Sequence, residues 1–145
     1  MRLIRNLGHK LGRLLQMTNR QHLLLMEAAL FLGVSRLLLL TVPFGRIAPW
    51  LQRSPDRGSC DVATVLAVGE AVTMAARNVP WNAVCLPQAM AAKAMLARRG
   101  QGSALHLGAA RGSDGLTAHA WLVAGGEIVV GELGVADVAP LARFG

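Results

Sequence analysis

The chain reads as an α+β protein with its helices first and its strands last. Apolar residues recur at three- and four-residue spacing through most of residues 18–99. The pattern then changes to strand-like runs at 103–109, 118–124 and 127–132, with Gly125-Gly126 as a two-residue hairpin signal between the last two. Between the helical stretches stand the breakers Pro43, Gly45, Pro80 and Gly100. With 145 residues there is room for one domain with a real core.

Residues 3–15 place Leu3, Ile4, Leu7, Leu11, Leu14 and Leu15 on one helical face and Arg2, His9, Lys10 and Arg13 on the other. Such a segment suits a membrane surface, a partner protein or its own domain; Met17 is an alternative start to the chain. Thr18-Asn19-Arg20-Gln21 matches a capping box and predicts a long helix to about Leu40. Glu27 and Arg36 fall on opposite faces of it, and they break the apolar run short of a membrane span. Burial within the protein is the expectation, ahead of burial against a partner or partly in lipid. Ile47–Gln52 predicts a short helix, and 53–58 (RSPDRG) a linker. Ser59 or Asp61 then caps a helix to about Arg77, with Val62, Val65, Leu66, Val72 and Ala76 inward.

Asn82 is the expected N-cap of the next helix. Cys85, Ala89, Ala92, Met95 and Leu96 form its apolar repeat, with Pro87 in the first turn and Arg98-Arg99-Gly100 at the end. Ser103–Ala109 predicts a strand, 111–115 a loop, and 138–145 a short edge strand. Two parts result: a basic, apolar helical region over 1–58 and a core over 59–145.

The net charge of +7 belongs wholly to residues 1–58, which hold nine Arg/Lys against Glu27 and Asp56. The basic residues have no aromatic interleaving and no recognisable reading motif, which argues against nucleic acid. An acidic peptide or an anionic membrane surface fits better. Two cysteines make no disulfide framework and no metal-ligand spacing, so neither metal nor cofactor is expected, and a reducing, cytoplasmic setting suits a free thiol.

Cys85 and His119 are the candidate nucleophile and base. A helix N-terminus puts a thiol in a positive potential that favours thiolate. A two-residue turn at Gly125-Gly126 sets Ala124 opposite Glu127, Trp121 opposite Val130 and His119 opposite Glu132. Directly opposed residues have Cβ atoms about 4.5–5.5 Å apart, so Glu132 would orient the imidazole. Cysteine, histidine and carboxylate in these roles make a thiol hydrolase or acyltransferase. Cys60, also near a helix start, and His106 read as packing or surface residues.

Two stretches, W-x3-CL-x2-A-x5-ML-x-RRG at 81–100 and AHAW at 118–121 before a GG turn, resemble the transglutaminase-like leader peptidase, the B protein, of lasso peptide biosynthesis. The apolar stretch 23–51 resembles the helical region before that family's peptidase core. The resemblance implies a papain/transglutaminase-like core: a Cys-bearing helix packed on a small antiparallel sheet. It implies Cys85 as nucleophile and His119 as base, with backbone N–H groups and Asn82 meeting the oxyanion. Where the family usually has an aspartate, this chain has Gly131; Glu132 is preferred over Asp137 for the third role. The implied activity is leader removal from a ribosomally made lasso precursor peptide before macrolactam closure. Nothing in residues 1–80 reads as a winged-helix leader-recognition module, which implies a separate leader-binding protein beside the macrolactam-forming cyclase. The alternatives are a transglutaminase-like acyltransferase and a non-enzymatic, membrane-associated scaffold with a degenerate triad.

Overall fold

The helix over Cys85–Ala97 (α4 in chain order) is apolar on every side, so the chain must surround it. Pro87, Ala89, Met90, Ala91, Ala92, Met95 and Leu96 are all buried. A helix without a polar face is stable only with neighbours all round. Three helices precede it: α1 (Asn19–Thr41), α2 (Phe44–Leu51) and α3 (Val62–Asn78). Four strands follow: β1 (Ala104–Gly112), β2 (Gly115–Ala124), β3 (Glu127–Val130) and β4 (Ala139–Phe144). The computed structural model describes Gly12 and residues 17–54, 60–131 and 138–145.

Each helix starts and stops on local chemistry. The Thr18 side chain accepts from the Gln21 N–H, while the Gln21 side chain accepts from the Thr18 N–H at 3.0 Å, completing the expected capping box. Asp61 caps α3 by accepting from the Thr64 N–H at 3.2 Å, and its carboxylate also accepts from the Thr64 hydroxyl. The N-cap of α4 is Val84, which makes no side-chain cap bond. Asn82 is thus not the cap. Its carbonyl instead accepts from Arg36 Nη1 at 2.8 Å, which ties the lead-in of α4 to α1.

The strands form one antiparallel sheet in the order β3-β2-β1-β4. The expected loop at 111–115 is a tight turn, since the ladder runs on until Gly112 faces Gly115. Gly115 takes a φ of +116°, which glycine enters without strain. The tail supplies β4, beside β1, as expected.

One core serves both parts of the sequence. Ala28, Leu32, Ile47 and Leu51 from before residue 58 cluster with Val65, Val68, Val72, Met90, Met95, Leu105 and Leu122. The inward face of α3 is Val65, Val68, Gly69, Ala71, Val72 and Ala75. Val62 and Leu66, expected inside, are about half exposed, because the smaller residues let α3 approach the sheet closely. A Cβ on Gly69 would lie 2.6 Å from the Val129 carbonyl oxygen.

The helix α1 grips α4 at both ends. Ala28, Leu32 and Ser35 form its buried strip. Glu27 and Arg36 flank that strip on opposite sides and reach round it. Glu27 takes Arg98 at 2.9 Å and Arg99 at 2.6 Å at the end of α4, and Arg36 takes Asn82 before its start. Burial as a whole is not the fate of α1, contrary to expectation: the side away from α4 is open and apolar.

Lys93 is the one charged group buried in α4, and its Nζ donates to the Ser103 carbonyl at 2.6 Å and the Phe144 carbonyl at 3.4 Å. Burial lowers its pKa to about 8. The ammonium holds the start of β1 and the end of β4 to the helix.

The hydrogen bond from Arg99, aided by the charges of Arg99 and Arg98, holds the Glu27 carboxyl below its ordinary 4.5. A depressed carboxyl contributes stability above its unfolded value and loses it as pH falls through the folded one. Glu27→Gln should therefore cost about 1 kcal/mol near neutral pH, since Arg98 is largely exposed and Arg99 partly so. In urea titrations the gap between the two proteins should close as the pH is taken below 4.5.

Candidate active site

Cys85 is the first residue of α4 and is half-buried against the core. Of the first N–H groups of the helix, Pro87 has none and Gln88 bonds the Val84 carbonyl at 3.3 Å. Cys85 and Leu86 carry the remaining first-turn donors, which have no partner within a helix. Gln88 Nε2 donates to the Ala83 carbonyl at 2.6 Å and braces the approach to the thiol. The Trp81 ring lies over Gly33 of α1, where an added Cβ would meet it at 3.6 Å, and its Nε1 is buried with no hydrogen-bond partner among the described residues. The sequence reading passed over this donor, because an indole nitrogen carries no periodicity signal.

The helix directions bring Cys85 to one end of the sheet. Near the start of α3, Cys60 lies at the hairpin turn: a Cβ on Gly125 would be 2.8 Å from its Sγ. Cys60 is therefore a packing residue over that turn. Gly69, further along α3, lies on Val129, so α3 runs away from the turn. The helix α4 returns, and Lys93 reaches Ser103 at the turn end, beside the Ala104–Val123 pair. Cys85 lies eight residues back along α4, about 12 Å at helical rise. His119 lies four residues back along β2, about 13 Å at strand rise. Thiol and imidazole thus stand at the same end of the sheet.

Their relation across the sheet is different. His119 pairs with Gly108, and Trp121 with His106. Side chains alternate along a strand, so His119, Trp121 and His106 share one face. Leu105, Ala120, Leu122 and Ala124 take the other face and join the core with α4. No hydrogen bond joins Cys85 to His119 among the described residues. His106 stacks on Trp121 with ring centroids 5.3 Å apart and planes 9° apart. Burial first, then the charge of Arg143, pushes the His106 pKa below its ordinary value. The His106 ring supports Trp121 by stacking on it. Gly108 allows this, since a Cβ there would meet Trp121 Cζ3 at 3.0 Å, the Ala139 carbonyl at 2.8 Å and Val138.

The hairpin register departs from the simple turn. Gly125 and Gly126 both have positive φ, as a two-residue turn of the primed type requires, and Ala124 faces Glu127 as expected. A bulge then shifts the ladder, so Leu122, not Trp121, faces Val130. The register argument that set Glu132 opposite His119 loses its basis. Glu132 and Asp137 lie outside the described residues. Gly131 is described, and it explains the missing aspartate. It has φ +88°, and a Cβ there would lie 2.5 Å from the Ala120 carbonyl oxygen and 2.9 Å from Trp121 Cα. No L side chain fits this turn out of β3 without a shift of backbone.

A family model described as the transglutaminase-like superfamily matches residues 28–143. The chain belongs to the transglutaminase-like superfamily. The match takes in most of α1, all of α4, the sheet but for Phe144, and both Cys85 and His119. The architecture of a helix packed on a four-stranded antiparallel sheet behind N-terminal helices is the transglutaminase-like core. No curated protein and no solved structure matched. Members of this superfamily are typically cysteine-dependent enzymes, and cysteine protease or acyltransferase chemistry is consistent with the family.

An open groove of about 1060 Å³ runs along α3, lined by Gln21, Leu25, Glu70, Thr73, Met74 and Arg77 among others. Neither Cys85 nor His119 lines it. Among the described residues no cluster of three or more His, Cys, Asp or Glu is placed to hold a metal.

Gly131→Ala should destabilise the domain by about 1–3 kcal/mol, through its positive φ and its crowding of Ala120. Gly126→Ala is the control. It has a positive φ but open space around it, and it should cost less in the same thermal melts.

Proposed function

We propose that the protein is a cysteine peptidase that removes the leader from a lasso precursor peptide before macrolactam closure. One observation carries the reading: Cys85 begins a buried helix at the same end of the sheet as His119, within a transglutaminase-like match that spans both. The lasso assignment rests on the Cys-Leu and His-Ala-Trp segments and their resemblance to the B proteins.

In this reading the Cys85 thiolate attacks the scissile carbonyl, and a thioester forms as the peptide C–N bond breaks. His119 holds the thiolate as an ion pair and then gives its proton to the leaving amine. This pairing requires the His119 ring, on the sheet face away from α4, to reach round the end of the sheet to the thiol. The first-turn N–H groups of Cys85 and Leu86 face the oxyanion, with the Asn82 side chain beside them. Water, deprotonated by His119, then hydrolyses the thioester. Glu132, beside Gly131, is the carboxylate assigned to orient His119. The freed core amine passes to a cyclase, and a separate protein presents the leader. The setting is cytoplasmic, where a thiol stays reduced.

Mass spectrometry of a lasso precursor encoded beside this gene, incubated with the protein and its leader-binding partner, tests the reading. Two fragments are expected, and intact precursor sinks it. A product heavier by an added amine would identify an acyltransferase instead. Cys85→Ala should abolish cleavage and leave the fold intact, because alanine suits the first turn of a helix. Cys60→Ala should retain most activity; a reversed result would move the nucleophile to Cys60.

Glu132→Gln should slow turnover by roughly one to several orders of magnitude, as amide replacement of a triad acid does. Asp137→Asn should change it little. Single-turnover rates of the two variants decide between them, and equal, unaffected rates would leave a Cys85–His119 dyad.

A further inference from the structure

An ordinary surface helix turns charge outward and apolar side chains inward. The helix α1 does the reverse. Glu27 and Arg36 are both engaged with α4 and its lead-in. The opposite side carries Leu23, Met26, Leu30, Val34, Leu37 and Leu40, each between 43% and 72% exposed. Their spacing of three or four residues makes one continuous stripe, about 25 Å long at helical rise. We propose that this stripe docks on an anionic membrane surface, with α1 lying in the interface.

The chemistry around the stripe selects lipid. The sixteen residues before Met17 carry Arg2, Arg5, Lys10 and Arg13 and no acid. Arg20 at the start of α1 and Arg46 and Arg53 after it are exposed. Trp50 of α2 is also exposed, and tryptophan favours the headgroup level. An apolar face with basic residues at both ends is the composition of an interfacial helix.

The other occupants fit less well. A membrane span fits the packing less well. An 18-residue window of α1 has a mean hydropathy of 2.1, high enough to cross a bilayer by composition. Yet Ala28, Leu32 and Ser35 are in the protein core, and only one side is left for lipid. A second copy would meet a net charge of +7 with another +7. The stripe is also about 25 Å by 10 Å, roughly 250 Å², against about 800 Å² per partner in a stable interface.

Co-sedimentation of the full chain with vesicles of phosphatidylglycerol and phosphatidylcholine tests this. Binding should be several-fold weaker to phosphatidylcholine alone and should fall with added salt. The double variant Leu30→Asp/Leu37→Asp should bind at least about tenfold less, because charge then replaces apolar surface at the centre of the stripe. Circular dichroism and Cys85 alkylation rate should not change. Wild-type protein left in the supernatant would overturn the proposal, as would a double variant that binds like wild type. So would a wild-type dimer in sedimentation equilibrium that the variant abolishes, without vesicle binding. Should the double variant not fold, a solvatochromic label on Leu37→Cys, with Cys60→Ala and Cys85→Ala, reads the same contact. A blue shift on anionic vesicles supports it, and an unchanged spectrum overturns it.

Discussion

Burial of most of α4 is the constraint on which the rest of the molecule depends. A stretch of CLPQAMAAKAMLA has no side to give to water, so it needs α1, α3 and the sheet together. Its alanines keep the helix thin, and Gly69 brings α3 onto β3 on the same economy of space. The one charge inside, Lys93, is tolerated because two strand carbonyls accept from it. These elements surround α4, and its first residue is thereby held at the end of the sheet. The place of Cys85 in the fold follows from packing before any chemistry is considered.

Much of this was legible in the residues. The capping box at Thr18, the apolar repeat from Ala89 to Leu96, the Gly125-Gly126 turn and the edge strand after 138 are local signals, and each appears where its pattern points. What was not legible depends on partners far away in sequence. Val62 and Leu66 look like core, yet the smaller Val68, Gly69 and Ala75 take the inner face because β3 must come close. Asn82 looks like a cap, yet Arg36, 46 residues away, claims its carbonyl. The side of α1 that would be left bare could not be foreseen from a pattern with no polar face.

The candidate site was legible in part. Cys85 and His119 come to one end of the sheet, but a single bulged residue in β3 undid the cross-strand argument for the acid. Side-chain parity along a strand is unforgiving: one extra residue changes every later partner. The same region shows why aspartate is missing at 131. The backbone there turns through a conformation that only glycine enters easily, with Ala120 and Trp121 filling the space a side chain would need. The face carrying His119 is shaped by His106 laid flat on Trp121, a support that strand propensity alone does not reveal.

The bond from Arg36 to the Asn82 carbonyl joins the outermost helix to the chain three residues before the thiol. Glu27 fastens the same helix to the far end of α4. Held at both ends, α4 and α1 behave as the two rails of one frame, and neither slides without the other. A load applied to the outside of the protein, whether by a surface it rests on or by a neighbour pressing against it, therefore reaches the chain beside Cys85 through the Arg36–Asn82 bond. The reactive sulfur has a mechanical address relative to the protein's exterior, set by the length of an arginine.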